Sequence, residues 1–383
     1  MAKQMHFLVS LLFIIALPLL ARGDYNVVDL GAISDGVTDS SESFLSAWAR
    51  ACASADQPAT VYVPRGSYLL SQTIFSGPCK NHNICIRLEG TLVAPLDYAR
   101  LSSSAHWLLF QNVGGVSIYG GTLDGRGSGL WACKASKRKC PFGERWPNID
   151  QQPTVPHCNR WMHEWDDPRG ERDGPCISIG HAPNTDGIHV EQSTGVTING
   201  TNIKTGDDCI SIGQGSSNLW IEHIACGPGH GISIGSLGKK LIEAGIRNVT
   251  VKSVEFTETE NGFRIKSWAR PSNGFVKGVL FEHAVMHNVH NPIIVDQNYC
   301  PHNRHCPGQV SGVQVSDVNY RDIKGSSATD IAVKFNCSEA RPCIGIELHD
   351  VKLTYENGDA EASCHNAEGT TSGFVFPTSC WRD

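Results

Sequence analysis

Residues 195–234 read GVTINGTNIKTGDDCISIGQGSSNLWIEHIACGPGHGISI. Four short β-rich runs occur in this stretch, and turn residues bound each of them: Gly195–Ile198, Cys209–Ile212, Leu219–Ile221 and Gly231–Ile234. Alternating apolar and polar residues between such turns predict short strands. The unit recurs roughly every 20 to 40 residues, which predicts a parallel β-helix, an all-β solenoid. A β-sandwich is the alternative, but the tight hairpin signals that it favours are scarce.

The pattern extends outward from this stretch in both directions. Short strand-like runs begin at Thr60 and continue to Val351-Lys-Leu353 near the C-terminus. Before them, Asp39-Ser-Ser-Glu42 resembles a capping box with Asp39 at the N-cap. It precedes apolar residues that are spaced for one helical face: Phe44, Leu45, Trp48, Ala49 and Cys52. We therefore predict a short N-terminal helix that caps one end of the solenoid.

The first residues have the pattern of a signal peptide. Lys3 precedes an uncharged apolar run from Phe7 to Leu20, and Ala21-Arg-Gly23 offers small residues for cleavage before Asp24. The run is short for a membrane anchor. We predict a signal peptide over residues 1–23, a single β-helix domain over residues 24–383, and no membrane contact after cleavage. The mature protein is then secreted to the extracellular space.

The cysteines and sequons agree with a secreted chain. Most of the 15 cysteines are expected in disulfides. Close pairs suggest bridges, although connectivity does not follow from sequence: Cys133/Cys140, Cys209/Cys226, Cys300/Cys306, Cys337/Cys343 and Cys364/Cys380. N-glycosylation acceptors occur at Asn199, Asn248 and Asn336.

The overall charge argues against two classes of partner. A formal net charge of −6 and a pI of about 6.2 are unlike a general nucleic-acid or anionic-membrane surface. An anionic ligand would need a local basic cluster. We predict no nucleic-acid partner and a monomer.

Chemically useful side chains recur at one phase of the repeat. Asp186, Asp207 and His230 lie in glycine-rich turns at similar points of successive units, and Asp208 follows Asp207 directly. Residues one coil apart in a parallel β-helix lie on strands ~4.8 Å apart, so these groups are expected to form a column. Like charges placed together raise one carboxyl pKa, and glycoside hydrolysis needs one protonated and one ionised carboxyl.

A basic pair follows on a later coil. Arg264 and Lys266 alternate on one strand and therefore share a face. A guanidinium and an ammonium beside acids suggest recognition of a substrate carboxylate. Taken singly, an Asp in a turn, a histidine or a basic pair is usually structural. The recurrence of these groups in register is what indicates a site.

Two stretches of the sequence also allow a metal-dependent alternative. Clustered aspartates suit Ca²⁺, as in β-helical pectate lyases. Cys300-Pro-His302-Asn-Arg-His305-Cys306 imitates a zinc site, but a disulfide loop is the better interpretation in a secreted chain. No glycine-rich stretch has the context for nucleotide binding. We predict no metal and no cofactor.

The motifs together resemble those of the polygalacturonases, pectin hydrolases of glycoside hydrolase family 28, and the many cysteines resemble the plant members. The matching residues are Asn184-Thr185-Asp186, Gly206-Asp207-Asp208, Gly229-His230-Gly231 and Arg264-Ile265-Lys266, with Tyr299 downstream. The resemblance implies a right-handed parallel β-helix that hydrolyses α-1,4-galacturonosyl linkages of homogalacturonan with inversion and without metal.

The resemblance also implies roles for single residues. Asp207 would be the general acid, and Asp186 and Asp208 would hold and activate the attacking water. His230 would maintain the protonation state of the acid. The substrate would be bound by Asn184, Arg264, Lys266 and Tyr299.

One interval departs from the family pattern. Residues 142–181 are rich in Trp, Arg, Asp and Pro and lack strand alternation. Three explanations remain open: a loop that replaces part of the cleft wall, a divergent feature of a pectin-binding pseudoenzyme, or a reading-frame or splice error. A hydrolase of a related pectin, such as a rhamnogalacturonan, is a further alternative for the function.

Overall fold

The structure is a computed structural model, and it describes residues 23–54, 58–96, 106–126, 186–301, 306–356 and 358–381. Several sequence predictions lie outside these residues: the signal peptide up to residue 22, the interval 142–181, the pair Cys133/Cys140 and the substrate-binding residue Asn184. None of the helices in the described ranges is long and apolar enough to cross a membrane.

Most of the described chain forms strands. In chain order they are β1 Gly23–Asn26, β2 Asp35–Asp39, β3 Ala59–Val63, β4 Ser67–Leu69, β5 Thr73–Ser76, β6 Ile84–Val93, β7 Leu108–Gln111, β8 Val116–Asp124, β9 Ile188–Glu191, β10 Thr197–Asn199, β11 Asn202–Lys204, β12 Ile210–Ile212, β13 Ser217–Cys226, β14 Ile232–Leu237, β15 Ile246–Thr257, β16 Asn261–Trp268, β17 Phe275–Val289, β18 Asn291–Tyr299, β19 Gln314–Ser327, β20 Ile331–Asn336, β21 Cys343–Tyr355, β22 Glu361–His365 and β23 Ala367–Phe376. The helices are a 3₁₀ turn, Val28–Leu30, and α1, Ser41–Ala53.

The strands form two parallel sheets, and successive strands from β12 to β23 alternate between them. Fourteen strands make the larger sheet, whose main path runs from β1 through β6, β13, β15 and β17 to β23. Nine make the smaller sheet, in the order β5-β7-β9-β12-β14-β16-β18-β20-β22. A chain that visits each sheet once per coil, with parallel pairing throughout, is a β-helix. The predicted solenoid is confirmed.

The register explains why the alternating pattern folds in this way. In the smaller sheet Ile188, Ile210, Ile232, Phe263 and Ile293 are paired in succession, and their side chains are buried. The same positions of successive coils thus stack into apolar ladders inside the solenoid. On each strand, the residue next to the ladder residue points outward, because neighbouring side chains of a strand alternate in direction. The polar members of the pattern therefore face outward from the smaller sheet.

The predicted helix caps the N-terminal end of the solenoid. Its buried face includes Phe44 and Trp48, and Trp48 packs edge-on against Phe75 with ring centroids 5.4 Å apart. The start of the helix differs from the sequence prediction. Ser40 is the N-cap, and Asp39 instead accepts a hydrogen bond from the backbone N–H of Ser41 at 3.0 Å. Both carboxylate oxygens of Asp39 are also used by hydroxyl groups, which explains its displacement from the capping role.

Four of the five suggested disulfides lie in the described residues, and all four are present: Cys209–Cys226, Cys300–Cys306, Cys337–Cys343 and Cys364–Cys380. A fifth bridge, Cys52–Cys79, joins α1 to the chain after β5. The sequence did not predict it, because its cysteines are 27 residues apart. The helical cap is thus fixed to the first coils covalently.

The coils on the two sides of residues 127–185 are direct neighbours. β7 pairs with β9, with Leu109 opposite His189, and β8 pairs with both β10 and β11. The ladder of coils is continuous across this position of the chain. The interval 142–181 therefore does not prevent Asp186 from stacking in register with the coils that follow it.

Candidate active site

The predicted site residues that the structure describes meet near the N-terminal ends of neighbouring strands in the smaller sheet. Asp186 lies just before β9, Asp207 and Asp208 just before β12, and His230 just before β14. Because these strands are parallel and in register, their preceding turns lie side by side. Arg264 and Lys266 reach the same place from β16, one coil further along.

Glycine allows the turns to approach one another closely. A Cβ at Gly231 would lie 2.0 Å from the carbonyl oxygen of Asn261, and Gly231 has a φ of +87°. Any other residue would be strained there and would collide with the next coil. Gly187, which follows Asp186, would place a Cβ 2.6 Å from the carbonyl oxygen of Cys209. These glycines hold adjacent coils at the spacing that brings the acids together.

Asp208 is the centre of a buried ion-pair network. It is 1% exposed, and its Oδ1 accepts hydrogen bonds from Arg264 Nη2 at 2.6 Å and Ser233 Oγ at 2.7 Å. Its Oδ2 accepts one from Lys266 Nζ at 2.8 Å. The Nε of Arg264 also donates to Ser233 Oγ at 2.9 Å. One carboxylate thus fixes two cations, and this group of three charges has a net charge of +1.

The network keeps both basic side chains charged. Burial is the largest single influence and lowers the pKa of Arg264 and of Lys266, and Arg264 lowers that of Lys266 further. Asp208, with smaller contributions from Tyr299 and Asp207, nevertheless raises both pKa values in sum. Both residues are 7% exposed, so little of either cation faces solvent. The sequence predicted that these residues recognise a substrate carboxylate, and the structure adds that they already bind an internal one.

Asp207 pairs with His230, whereas Arg264 and Lys266 pair with Asp208. Its Oδ1 lies 3.0 Å from His230 Nδ1 and also accepts the backbone N–H of Asp208 at 2.8 Å. The other ring nitrogen of His230, Nε2, lies 3.0 Å from Glu260 Oε2. Burial would lower the pKa of His230, but the two carboxylates outweigh it and raise that pKa to about 10. His230 is therefore an imidazolium across the neutral range.

Asp186 lies between two histidines. Its Oδ2 is 3.5 Å from His106 Nδ1 and 3.4 Å from His189 Nδ1. The two imidazole rings stack with centroids 3.7 Å apart. His189 Nδ1 also lies 3.0 Å from Ser211 Oγ, on the next coil. The paired imidazoles fix the position of the Asp186 carboxylate from one side.

The carboxyl pKa values differ from the sequence expectation. Burial alone would raise the pKa of Asp186, but His106 and His189 outweigh it and lower that pKa to about 2. Burial would also raise the pKa of Asp207, yet the charge of His230 lowers it. Repulsion between the acids was expected to raise one carboxyl pKa. That expectation is wrong for Asp186 and Asp207, because each acid has its own imidazole partner.

Tyr299 forms a wall of the site at the end of β18. Its ring centroid lies 5.3 Å from Lys266 Nζ and 6.0 Å from the guanidinium carbon of Arg264. Trp268 packs edge-on against it with centroids 5.4 Å apart. Half-exposed aromatic rings beside buried cations suit a sugar that carries a carboxylate.

Among the residues that the structure describes, two groups of side chains have the spacing of metal ligands: His106, Asp186 and His189, and Asp207, Asp208 and His230. In each group the ligand atoms lie within 4.8 Å of one another. In the second group Asp208 is neutralised by Arg264 and Lys266, and His230 is protonated. These charges oppose a cation there. The absence of a metal requirement remains a prediction.

Five residues of the site were missed by sequence reasoning: His106, His189, Ser233, Glu260 and Trp268. His189 and Ser233 occupy the same outward position of their coils as Arg264, through the pairs His189–Ser211, Ser211–Ser233 and Ser233–Arg264. Both could have been found from the sequence by locating, on each earlier coil, the position that is equivalent to Arg264. His106 has no such signal, because residues 127–185 separate its coil from the next one in sequence.

The outer face of this parallel β-helix thus carries clustered carboxyl groups beside two buried cations, and similarity to known proteins assigns the chain to the glycoside hydrolases. A solved structure of an endo-xylogalacturonan hydrolase from Aspergillus tubingensis is similar, with a TM-score of 0.56 over 91% of this chain and 100% of that one, at 18% identity. This similarity concerns the fold alone. It agrees with the right-handed parallel β-helix predicted from the sequence.

Sequence comparison defines the family. Residues 171–375 match the model of the glycosyl hydrolases family 28, and residues 25–90 match that of rhamnogalacturonase A/epimerase, pectate lyase-like proteins. A polygalacturonase of Prunus persica is 55% identical over 390 aligned residues, which cover 98% of each chain. An exopolygalacturonase of Platanus acerifolia is 37% identical over 92% of this chain and 96% of its own. The chain belongs to glycosyl hydrolase family 28.

Proposed function

We propose that this protein hydrolyses α-1,4 linkages between galacturonate residues of pectin, with inversion at the anomeric carbon. The observation that carries the proposal is the column of Asp186, Asp207 and Asp208 at one sheet edge, beside the buried pair Arg264 and Lys266. Acids alone would suit any glycoside. Acids beside fixed cations suit a glycoside that carries a carboxylate on its ring.

We assign the acid role to Asp207 from its match to the family motif and the base role to Asp186 from its surroundings. Asp207 donates its proton to the glycosidic oxygen as the C–O bond breaks; because His230 lowers its pKa in the free site, this role requires the bound substrate to raise that pKa. Asp186, held ionised by its two histidines, takes a proton from the water whose oxygen attacks the anomeric carbon. Asp208 helps to hold that water. Its own charge is balanced by Arg264 and Lys266, so it orients the site rather than accepting a proton.

The substrate carboxylate is recognised by the positive charge of Arg264 and Lys266 that the single Asp208 carboxylate does not neutralise. Two cations share one aspartate, and the residual positive charge attracts a galacturonate carboxylate to the same place. Tyr299 covers these cations and offers its ring to the sugar face. Asn184, outside the described residues, is proposed to bind substrate as well. A neutral sugar would leave the two cations without this partner.

Replacing Lys266 by methionine is expected to raise the KM for de-esterified pectin by roughly 10- to 100-fold, because a hydrogen bond to a charged group is lost. The KM for highly methylated pectin changes less, since its carboxyl groups are masked. Initial rates of reducing-end release on both substrates measure the difference. Lys252→Met is a matched control, because Lys252 pairs with Glu222 at 3.2 Å on the other sheet. Equal changes on both substrates would contradict carboxylate recognition.

The proposed function is tested by following the products of polygalacturonate over time. We expect new reducing ends without unsaturated products, no loss of rate with a calcium chelator, and initial release of the inverted anomer detected by ¹H NMR. Activity is expected to be highest in mildly acidic solution. Product lengths distinguish internal cleavage from cleavage at chain ends.

Other results would favour other functions. Binding of polygalacturonate without new reducing ends would indicate a pectin-binding pseudoenzyme. Cleavage of rhamnogalacturonan alone would indicate a related pectin hydrolase. Unsaturated products that require calcium would indicate a lyase. We also propose that the protein acts as a secreted monomer in the cell wall, which sedimentation and analysis of the mature N-terminus would test.

A further inference from the structure

Three turns on successive coils place an imidazole between two carboxylates. His230 Nδ1 lies 3.0 Å from Asp207 Oδ1, and His230 Nε2 lies 3.0 Å from Glu260 Oε2. The side chain of His230 is 14% exposed, that of Asp207 16% and that of Glu260 34%. The turns before β12, β14 and β16 supply one residue each. Asp207 has a proposed role in the reaction, and Glu260 has none.

The geometry restricts the protonation state of the ring. A neutral imidazole has one N–H and one acceptor nitrogen, so it can donate to only one of two carboxylates. Both ring nitrogens of His230 face carboxylate oxygens at hydrogen-bonding distance. The doubly protonated ring is the form that makes both the Nδ1 hydrogen bond to Asp207 and the Nε2 ion pair with Glu260 favourable. The backbone adds to the orientation, because Asn261 Nδ2 donates to the carbonyl oxygen of His230 at 3.0 Å.

We propose that Glu260 is a positioning residue: it holds His230 as an imidazolium and aims its Nδ1–H at Oδ1 of Asp207. Oδ1 then accepts two hydrogen bonds, from His230 and from the backbone N–H of Asp208. The transferable proton of Asp207 is thereby directed to Oδ2. This inference rests on the proposed function, in which Asp207 is the general acid.

Glu260 also balances charge. With Asp207 protonated, the imidazolium of His230 and the carboxylate of Glu260 cancel. Without Glu260, the imidazolium would act on Asp207 uncompensated and would disfavour its protonated form. Two other charged groups act on Asp207: Asp186 raises its pKa and Lys266 lowers it. Both remain in place in a Glu260 variant, because Lys266 is held by Asp208 and Asp186 by His106 and His189. Glu260 thus allows the His230 cation to orient Asp207 while lowering the pKa of Asp207 less than an uncompensated cation would.

The first test titrates His230 by ¹H NMR of its ring in wild type and in Glu260→Gln, with a His230→Gln variant to assign the signal among 16 histidines. In wild type the signal should not titrate below about pH 8, because two carboxylates stabilise the cation. In Glu260→Gln we expect the midpoint to fall by ~1–3 pH units. An unchanged midpoint would overturn the inference. This measurement does not depend on hydrolytic activity, so it separates failure of the inference from failure of the proposed function.

The second test is the pH dependence of kcat/KM on polygalacturonate. In Glu260→Gln we expect the alkaline limb to move by ~1 unit to lower pH, because Asp207 is harder to protonate beside an uncompensated cation. The acid limb, set by another carboxyl, should stay in place. Glu260→Asp keeps the charge and should restore the alkaline limb at least partly. A lower kcat/KM with both limbs unchanged would overturn the inference and indicate that Glu260 acts on the substrate.

The chain supplies a matched control for both tests. Glu255 lies 3.0 Å from His287 Nε2, the same separation as in the Glu260–His230 pair, but its side chain is 60% exposed and that of His287 is 49% exposed. Glu255→Gln should leave both the pH profile and the His230 signal unchanged. A shift in this variant equal to that of Glu260→Gln would show a general charge effect and overturn the assignment to Glu260.

Discussion

Replacing Asp208 by alanine is expected to destabilise the protein by about 3–5 kcal/mol and to reduce kcat/KM on polygalacturonate by about 10²-fold or more. The substitution leaves Arg264 and Lys266 buried without their shared anion. Repulsion between these two cations then displaces them from the positions in which they face a substrate. Denaturant unfolding and initial-rate measurements on the same samples test both effects.

A surface ion pair provides the comparison for Asp208. Arg321 and Glu347 lie 3.7 Å apart with side chains 46% and 51% exposed. Glu347→Ala should change stability by no more than about 1 kcal/mol, since exposed pairs contribute little. If Asp208→Ala unfolded at the same denaturant concentration as Glu347→Ala, the network would not have the structural role assigned to it.

Replacing Asp207 by asparagine is expected to lower kcat on polygalacturonate by about 10²- to 10⁴-fold, the usual contribution of a general acid. The change is nearly isosteric and keeps an oxygen for the Nδ1–H of His230 and the N–H of Asp208. We therefore expect a small change in KM and an intact fold by circular dichroism. A kcat within tenfold of wild type would remove Asp207 from the acid role.

The leaving group provides a sharper test of Asp207. A nitrophenyl galacturonide needs little protonation when its bond breaks. We expect Asp207→Asn to retain much more of the wild-type rate on such a substrate than on polygalacturonate. Asp186→Asn should lose activity equally on both, because its proposed role concerns the water. If Asp186→Asn kept its activity on the nitrophenyl substrate and Asp207→Asn lost activity equally on both substrates, the two roles would have to be exchanged.

The ladder of coils could be predicted because it depends on local pattern. Val, Ile and Thr alternate between turn residues, and side chains at one phase of a repeat must stack once the coils are parallel. The acids, His230, Arg264 and Lys266 were therefore found from sequence. The close-spaced disulfides followed for the same reason, while Cys52–Cys79 connects separate elements and left no local signal.

The partners of the site residues could not be predicted in this way. Sequence phase places Asp208 and Arg264 on one face, but it does not say whether the cation faces solvent, substrate or the acid. That choice depends on side-chain packing across three coils, including the hydroxyl of Ser233. The same limit explains the wrong expectation for the carboxyl pKa values, since His106 and His189 come from coils on opposite sides of residues 127–185.

The ion pairs of Asp208 also have a consequence for assembly of the chain. They span 56 and 58 residues of sequence and connect β16 to the turn before β12. Repeat proteins can grow coil by coil from a folded segment. During synthesis from the N-terminus, a nascent solenoid that has reached β14 holds Asp208 without its cations, and addition of β16 joins three coils through one carboxylate. The two cations of the candidate site are thus put in place by the same step that ties these coils together, and Tyr299 follows with β18.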